Sequence, residues 1–331
     1  MTTQQIVLAA RPKGLPVSED FRMDTVEIAE IKDGEILLKG LYYSVDPYMR
    51  GRMNDAKSYV PPFDIDQPLN GAVIAEVVES RSDKFRAGDL VAGNLPWQKI
   101  IVSDGSALKK VDPRLAAPSH YLGVLGMTGL TAYFGLMHIG KPQAGETVVV
   151  SGAAGAVGLV VGQIAEIQEC HVVGIAGSED KTKLLLSLGF DVAINYKTTP
   201  DMKKAIAAAC PKGVDVYFDN VGGGISDAVI ANIAFHARIP LCGQISLYNS
   251  EETPMGPRLQ PMLLTRSVLM QGFIISQFQE HFPEGIQQLA KWIKEDKIKV
   301  HETIEHGFEN LPNALLGLFK GENTGKMIVK A

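Results

Sequence analysis

The chain has 331 residues, more than a single core usually takes, which predicts two domains. An apolar fraction of 46%, a charged fraction of 21% and a mean hydropathy of +0.06 exclude a disordered or fibrous chain. A formal net charge of −5 provides no basic surface that would recruit nucleic acid or anionic lipid by bulk electrostatics, so neither is expected as a partner.

At the N-terminus a short apolar run, Ile6 to Ala10, stops at Arg11 and is too short for a signal peptide, so a cytoplasmic location is expected. Glu35–Leu41, Gly71–Ser80, Asp89–Leu95 and Lys99–Ser103 read as short strands between Gly, Pro and Asp turns, a β-rich module over residues 1–120. From Tyr121 strands alternate with helices, as in βαβ units with a parallel sheet, over 121–299. Strands are expected at Thr147–Ser151, His171–Ile175, Val214–Phe218, Arg238–Leu241 and Val268–Gly272. Helices are expected at Gly158–Ile167, Lys181–Leu188, 201–209, 225–235 and 282–296. The segment 300–331, with one helix at Leu311–Phe319, is expected to return to the first domain. The most apolar window, Val148–Ala165, reaches membrane-span length but holds four glycines, Ser151 and Gln163, which fits a buried strand, turn and helix and no membrane span.

Cys170, Cys210 and Cys242 are odd in number and widely spaced, so they form neither a disulfide framework nor a C-x-x-C site and read as reduced thiols. The seven histidines (120, 138, 171, 236, 281, 301 and 306) show no clustered ligand spacing with them, so no metal is expected. Redox chemistry would then run on an organic cofactor that the protein positions.

Gly152-Ala-Ala-Gly155-Ala156-Val157-Gly158 follows the apolar strand directly and opens a helix. Glycines permit the tight turn and close backbone approach to a pyrophosphate, while helix N-terminal amides face its charge. A site for NAD ordinarily places Asp or Glu at the end of the second strand to hold the ribose 2′-hydroxyl. Ala176 stands there instead, leaving room for a 2′-phosphate that Lys181 could neutralise, so NADPH/NADP is expected over NADH. A solvated helix cation beside Glu179 and Asp180 is the alternative for Lys181.

Several longer stretches then resemble one family across essentially the whole chain. They are Val45–Met53 (VDPYMRGRM), Leu125–Phe134 (LGMTGLTAYF), Asn195-Tyr196-Lys197, Tyr217–Gly223 (YFDNVGG), Gly243–Asn249 (GQISLYN) and Asn323–Lys326. They look like the medium-chain dehydrogenase/reductase superfamily, and within it the zinc-free group of leukotriene B4 dehydrogenases, or prostaglandin reductases, with plant double-bond reductases and bacterial curcumin reductases. Where the zinc enzymes carry Gly-His-Glu, this chain reads Pro68-Leu69-Asn70-Gly71.

The resemblance implies an α/β fold: a GroES-like β-rich domain completed by the C-terminal segment, a Rossmann doubly wound parallel sheet between, and a homodimer. It implies that Lys181 and Tyr196 hold the 2′-phosphate. Asn220, Cys242, Gly243, Ser246 and Tyr248, then Phe273, Ile274, Ile275 and Asn323, would line the cofactor, with Met127 and Thr128 flanking the nicotinamide. Competing readings remain for some: Asn220 as a turn cap, Tyr196 as a strand-end aromatic, Met127 and Thr128 as helix packing.

The implied reaction delivers hydride to the β-carbon of an α,β-unsaturated ketone or aldehyde without metal. Tyr248 is then the candidate to position the nicotinamide or donate to the oxygen that gains charge, core packing being its alternative. Tyr48, Arg50 and Tyr59 would meet the substrate, with a structural ion pair as the other reading of Arg50. An NADPH:quinone oxidoreductase and a non-catalytic dinucleotide-binding protein are the competing functions.

Overall fold

The structure, a computed structural model, describes residues 1–331. Its first strands, β1 (Thr2–Leu8) and β2 (Phe21–Glu27), pair antiparallel from Thr2↔Glu27 to Leu8↔Phe21. Neither follows from the sequence pattern, because β1 begins with the polar run TTQQ and β2 buries little besides Phe21. Pairing, and burial of Ile6, Val7 and Leu8, decides the conformation where the pattern is weak. There follow β3 (Ile36–Ser44), the single turn α1 (Met49–Arg52), β4 (Asn70–Ser80), β5 (Leu90–Pro96), β6 (Ile100–Ser103) and β7 (Lys109–Lys110). A Cβ on Gly40 would lie 1.7 Å from the Tyr43 hydroxyl, so only glycine lets that ring fold back along β3, where the register with β4 also shifts.

The next segment opens with α2 (Met127–Phe134) and then alternates: β8 (Thr147–Ser151), α3 (Gly158–Ile167), β9 (His171–Ala176), α4 (Glu179–Ser187), β10 (Val192–Asn195), α5 (Met202–Ala209), β11 (Val214–Phe218), α6 (Gly223–Ile230), β12 (Ile233–Leu241), α7 (Gln260–Arg266), β13 (Leu269–Gly272) and α8 (Phe282–Lys294). The six strands are parallel in the order β10-β9-β8-β11-β12-β13. The order reverses between β8 and β11, the switch point where doubly wound sheets open a crevice at their carboxyl ends. Val148 to Val150 of β8 and Val216 to Phe218 of β11 are fully buried, as central strands covered on both faces must be. Gln163, polar inside the apolar window, is satisfied by the backbone N–H and C=O of Lys299.

One expected helix is corrected. Residues 225–235 do not form a single helix: α6 ends at Ile230, and Asn232 turns its amide back onto the Ala228 and Lys203 carbonyls. Ile233 then starts β12, which is drawn into strand by its neighbours β11 and β13 despite helix-compatible Ala and His residues.

The chain ends with β14 (Glu302–His306), α9 (Leu311–Lys320) and β15 (Lys326–Lys330). β15 joins β3 antiparallel and β14 parallel, completing a sheet ordered β14-β15-β3-β4-β5-β7, with β6 also on β3. The chain thus divides into Met1–Leu122 with Glu302–Ala331, and Gly123–His301. In the first unit the Lys326 ammonium, 4% exposed, donates to Asp46 Oδ1 at 2.9 Å and to the Val45 carbonyl at 2.7 Å. This buried pair ties β15 to the loop that enters α1. No helix is long and apolar enough to cross a membrane.

Candidate functional site

Three groups of the expected residues gather at the carboxyl edge of the six-stranded sheet. The first is the turn from β8 to α3. Gly152 takes φ +59°, where a side chain is strained. A Cβ on Gly158 would fall 2.4 Å from the Gly152 carbonyl oxygen, and one on Gly155 would meet the same oxygen at 3.3 Å. Strand and helix therefore meet backbone to backbone, with Ala156 and Val157 at the helix head. Val157 caps α3 without a side-chain bond, whereas Ser178 and Asp201 cap α4 and α5 by accepting the Lys181 and Lys204 amides. The Leu159 and Val160 amides already donate to the Gly155 and Val157 carbonyls at 3.0 and 3.1 Å, so the donors that the head of α3 offers an anion are the amides just ahead of them, at Ala156, Val157 and Gly158.

The second group lies at the ends of β9 and β10. Ala176 pairs with Asn195, and its carbonyl accepts the Tyr196 amide at 3.1 Å. Tyr196 lies against Gly177, where a Cβ would come within 2.9–3.1 Å of three atoms of that side chain. Burial and the nearby positive charge of Lys197 lower the Lys181 pKa. Glu179 on the same helix is directed to Lys183 at 3.0 Å. The result is two lysines and a tyrosine where an NAD site would keep a carboxylate, an arrangement that an added phosphate dianion would relieve electrostatically.

The third group centres on Asp219, which lies inside the family-like stretch Tyr217–Gly223 but which the sequence reading does not single out as a site residue. It follows β11, is fully buried, and accepts six hydrogen bonds. Ser151 Oγ (3.1 Å), the Tyr217 hydroxyl (2.9 Å) and the amides of Val221 (3.0 Å) and Gly222 (2.9 Å) reach Oδ1. Ser226 Oγ (2.9 Å) and Gln244 Nε2 (3.3 Å) reach Oδ2. A charged residue directly after the apolar strand VDVYF is the available signal, because a carboxylate there is buried unless the chain turns at once.

Around this carboxylate Asn220 donates from Nδ2 to the Ser151 carbonyl at 2.8 Å, joining the ends of β8 and β11. Ser246 Oγ donates to the Val221 carbonyl at 2.7 Å. Burial, helped by the Asp219 charge, pushes the Cys242 thiol up to about 12, so it stays protonated and inert. Tyr248 accepts the Gln244 amide at 3.2 Å, leaving its O–H to donate. Burial raises its pKa above the ordinary value of 10.0, and it remains a neutral phenol at physiological pH.

Elsewhere in this unit Phe273 follows β13 and meets Phe218 edge-on, while Ile274 donates its amide to Gln277 and Ile275 opens the following turn. Met127 and Thr128 head α2, where the Thr128 hydroxyl donates to the Gly123 carbonyl at 3.0 Å.

In the first unit Tyr48 and Tyr59 share one electrostatic neighbourhood with Arg52, which the sequence pattern does not single out. Arg52 stacks 3.9 Å over the Phe63 ring and donates to Pro61 O and to Asn70 Oδ1. It borders an open cavity of ≈ 350 Å³ with Phe63, Gln67, Asn70 and Asn94. Arg50 points elsewhere: it is 4% exposed and donates to the Gly14 carbonyl and to Asn54 Oδ1. Asn323 donates to the Gly325 carbonyl.

Two family models match the chain: the N-terminal domain of oxidoreductase over residues 4–111 and zinc-binding dehydrogenase over 156–291. No group of three or more His, Cys, Asp or Glu side chains is placed to hold a metal ion. The chain is 45% identical over 330 residues to the NADPH-dependent curcumin reductase of Escherichia coli, covering 98% of this chain and 95% of that one. It is 44% identical over 323 residues to prostaglandin reductase 1 of Bos taurus, covering 96% of each. The structure of CurA in complex with NADPH from Vibrio vulnificus superposes with a TM-score of 0.95 at 42% identity, covering 99% of both chains. With this sheet order, this glycine turn and these relatives, the chain belongs to the medium-chain dehydrogenase/reductase superfamily, in the group without a zinc site that holds the curcumin, prostaglandin and 2-alkenal reductases.

Proposed function

We propose that the protein is an NADPH-dependent oxidoreductase that reduces the carbon–carbon double bond of α,β-unsaturated ketones and aldehydes. The observation that carries this reading is the Tyr248 phenol, its oxygen anchored on the Gln244 amide and its O–H left to donate, in the loop after β12 at the carboxyl edge of a parallel sheet that also carries the glycine turn. The chain's residues fit that cofactor. A Cβ would fill the cradle at Gly158, α3 has no side-chain cap, and Lys181, Lys197 and Tyr196 lie around the ends of β9 and β10, where Ala176 replaces the carboxylate of an NAD site. We assign Gly152, Gly155, Ala156, Val157 and Gly158 to the pyrophosphate, and Lys181 and Tyr196 to the 2′-phosphate. Met127, Thr128, Asn220, Cys242, Gly243, Ser246, Phe273, Ile274, Ile275 and Asn323 are assigned to the remaining cofactor wall.

NADPH, when bound, supplies the hydride for the β-carbon. Negative charge then develops on the substrate carbonyl oxygen, where the Tyr248 hydroxyl donates a hydrogen bond, and the enolate takes the proton for its α-carbon from water. Loss of one donor aimed at a developing oxyanion costs about 2.7–4 kcal/mol in characterised enzymes. Tyr48 and Tyr59 supply aromatic surface and hydroxyls to the substrate; Arg50 serves the same region by bracing α1 against the Gly14 loop. By the same reading the enzyme acts in the cytoplasm, where its buried thiols stay reduced, and works as a homodimer. The sheet edge at β13, with Leu269 half exposed, suits pairing with a second copy.

The test is NADPH oxidation by EDTA-treated protein with a linear enone, a linear enal and a quinone in parallel, with products identified and NADH as the competing cofactor. Saturated ketone and aldehyde formed with NADPH preferred is the expected result. Turnover of the quinone alone would make it a quinone reductase, and tight NADPH binding without turnover a binding protein.

A further inference from the structure

Asp219 is a fully buried carboxylate, and such a group persists only where donors replace its lost hydration. Its six donors come from three places: the end of β8 through Ser151, its own strand, loop and the start of α6 through Tyr217, Val221, Gly222 and Ser226, and the loop after β12 through Gln244. Its main chain repeats the connection, the Asp219 carbonyl accepting the amides of Cys242 at 2.9 Å and Gly243 at 3.1 Å. One residue therefore fixes the start of the segment that ends in Tyr248.

Gln244 is the outward link. Its side chain donates to Asp219 Oδ2 and covers Gly222, where a Cβ would come 2.2 Å from Gln244 Oε1. Its backbone amide donates to the Tyr248 oxygen. A shift of the Gln244 backbone, which the side-chain bond to Asp219 resists, would thus move the amide that anchors the phenol. We propose that Asp219 is a positioning residue of the reduction, holding Tyr248 through Gln244 where its hydroxyl can donate to the substrate oxygen. This rests on Tyr248 as the donor of the enone reductase described above. Asp219 itself touches no reacting atom.

Asp219→Asn tests it, since an amide nitrogen in place of Oδ2 cannot accept from Gln244 or Ser226. Wild type, Asp219→Asn, Tyr248→Phe and the double variant are compared for kcat on an enone, for NADPH dissociation constant by fluorescence quenching, and for the Tyr248 position in crystals of the single Asn variant. We expect kcat to fall by about ten- to hundredfold in Asp219→Asn, NADPH affinity to change by less than about threefold, and the double variant to be no slower than Tyr248→Phe. The crystals should show the Tyr248 contact with the Gln244 amide lost. Should Asp219→Asn fail to fold, Gln244→Ala carries the test, because it leaves the other five donors in place and should lower kcat in the same non-additive way. Losses that multiply in the double variant, or a fall in NADPH affinity that matches the fall in kcat, would overturn the role. A Tyr248→Phe enzyme as fast as wild type would remove the donor and the inference with it. A wild type that leaves the enone unreduced would instead sink the enone reading itself.

Discussion

Two neighbouring turns at the carboxyl edge of the parallel sheet are built in opposite ways. The turn from β8 to α3 uses backbone alone: Gly152 supplies a positive φ, Gly158 lets helix and strand touch, and no side chain caps the helix. The turn from β11 to α6 uses a side chain, the Asp219 carboxylate drawing six donors inward. The first keeps backbone donors available for a ligand; the second consumes its donors internally and so makes a rigid wall. Ser151 joins them, donating to Asp219 while accepting the Asn220 amide.

The largest expected stability change lies outside both turns and serves as their control. Lys326→Met leaves Asp46 buried without its partner in the first unit and should destabilise by about 3–5 kcal/mol in denaturant titrations. The NADPH dissociation constant of the protein that remains folded should move little, since Asn323 is the one residue of that unit assigned to the cofactor; a shift as large as that of a glycine-turn variant would contradict the assignment of the nucleotide to the two turns. Next, Gly158→Ala drives a Cβ against the Gly152 carbonyl and should cost about 1–3 kcal/mol of stability. It should also abolish measurable NADPH binding by calorimetry, and retained affinity would show that close backbone contact is dispensable.

Lys181→Ala should weaken NADPH by about 1.5–3 kcal/mol, the range for hydrogen bonds to charged groups, and leave NADH nearly unchanged. An equal loss for both cofactors would place Lys181 away from the 2′-phosphate. The smallest effect is a pH dependence at the same residue. Burial and Lys197 lower the Lys181 pKa in the free protein, and the charged form is the one that meets a phosphate. NADPH affinity should therefore decline as pH rises through that lowered value, whereas NADH affinity should stay level; parallel decline of both would contradict it.

The same contrast governs what could be read in the sequence. The glycine turn is legible because all its parts are local: an apolar strand, three spaced glycines and a helix follow one another within 21 residues, and Thr147–Ser151 and Gly158–Ile167 form as expected. The parallel-sheet fold class is legible from the alternation of strands and helices. The role of Asp219 is not, although the stretch Tyr217–Gly223 that holds it is, because a single carboxylate has no periodicity and its six donors come from positions 151 to 244. Arg52 is hidden likewise, its partners Phe63 and Asn70 lying on other segments. The break of 225–235 into α6 and β12 depends on neighbouring strands that a local pattern does not report.

The central claim is that hydride reaches the β-carbon of an enone without metal. The most direct test supplies NADPH deuterated at its hydride-donating carbon, with a linear enone and excess EDTA, and locates the label by NMR. The account predicts a saturated ketone carrying deuterium on the β-carbon. Deuterium on the carbonyl carbon of an unsaturated alcohol, or turnover that stops when EDTA is added, would contradict it.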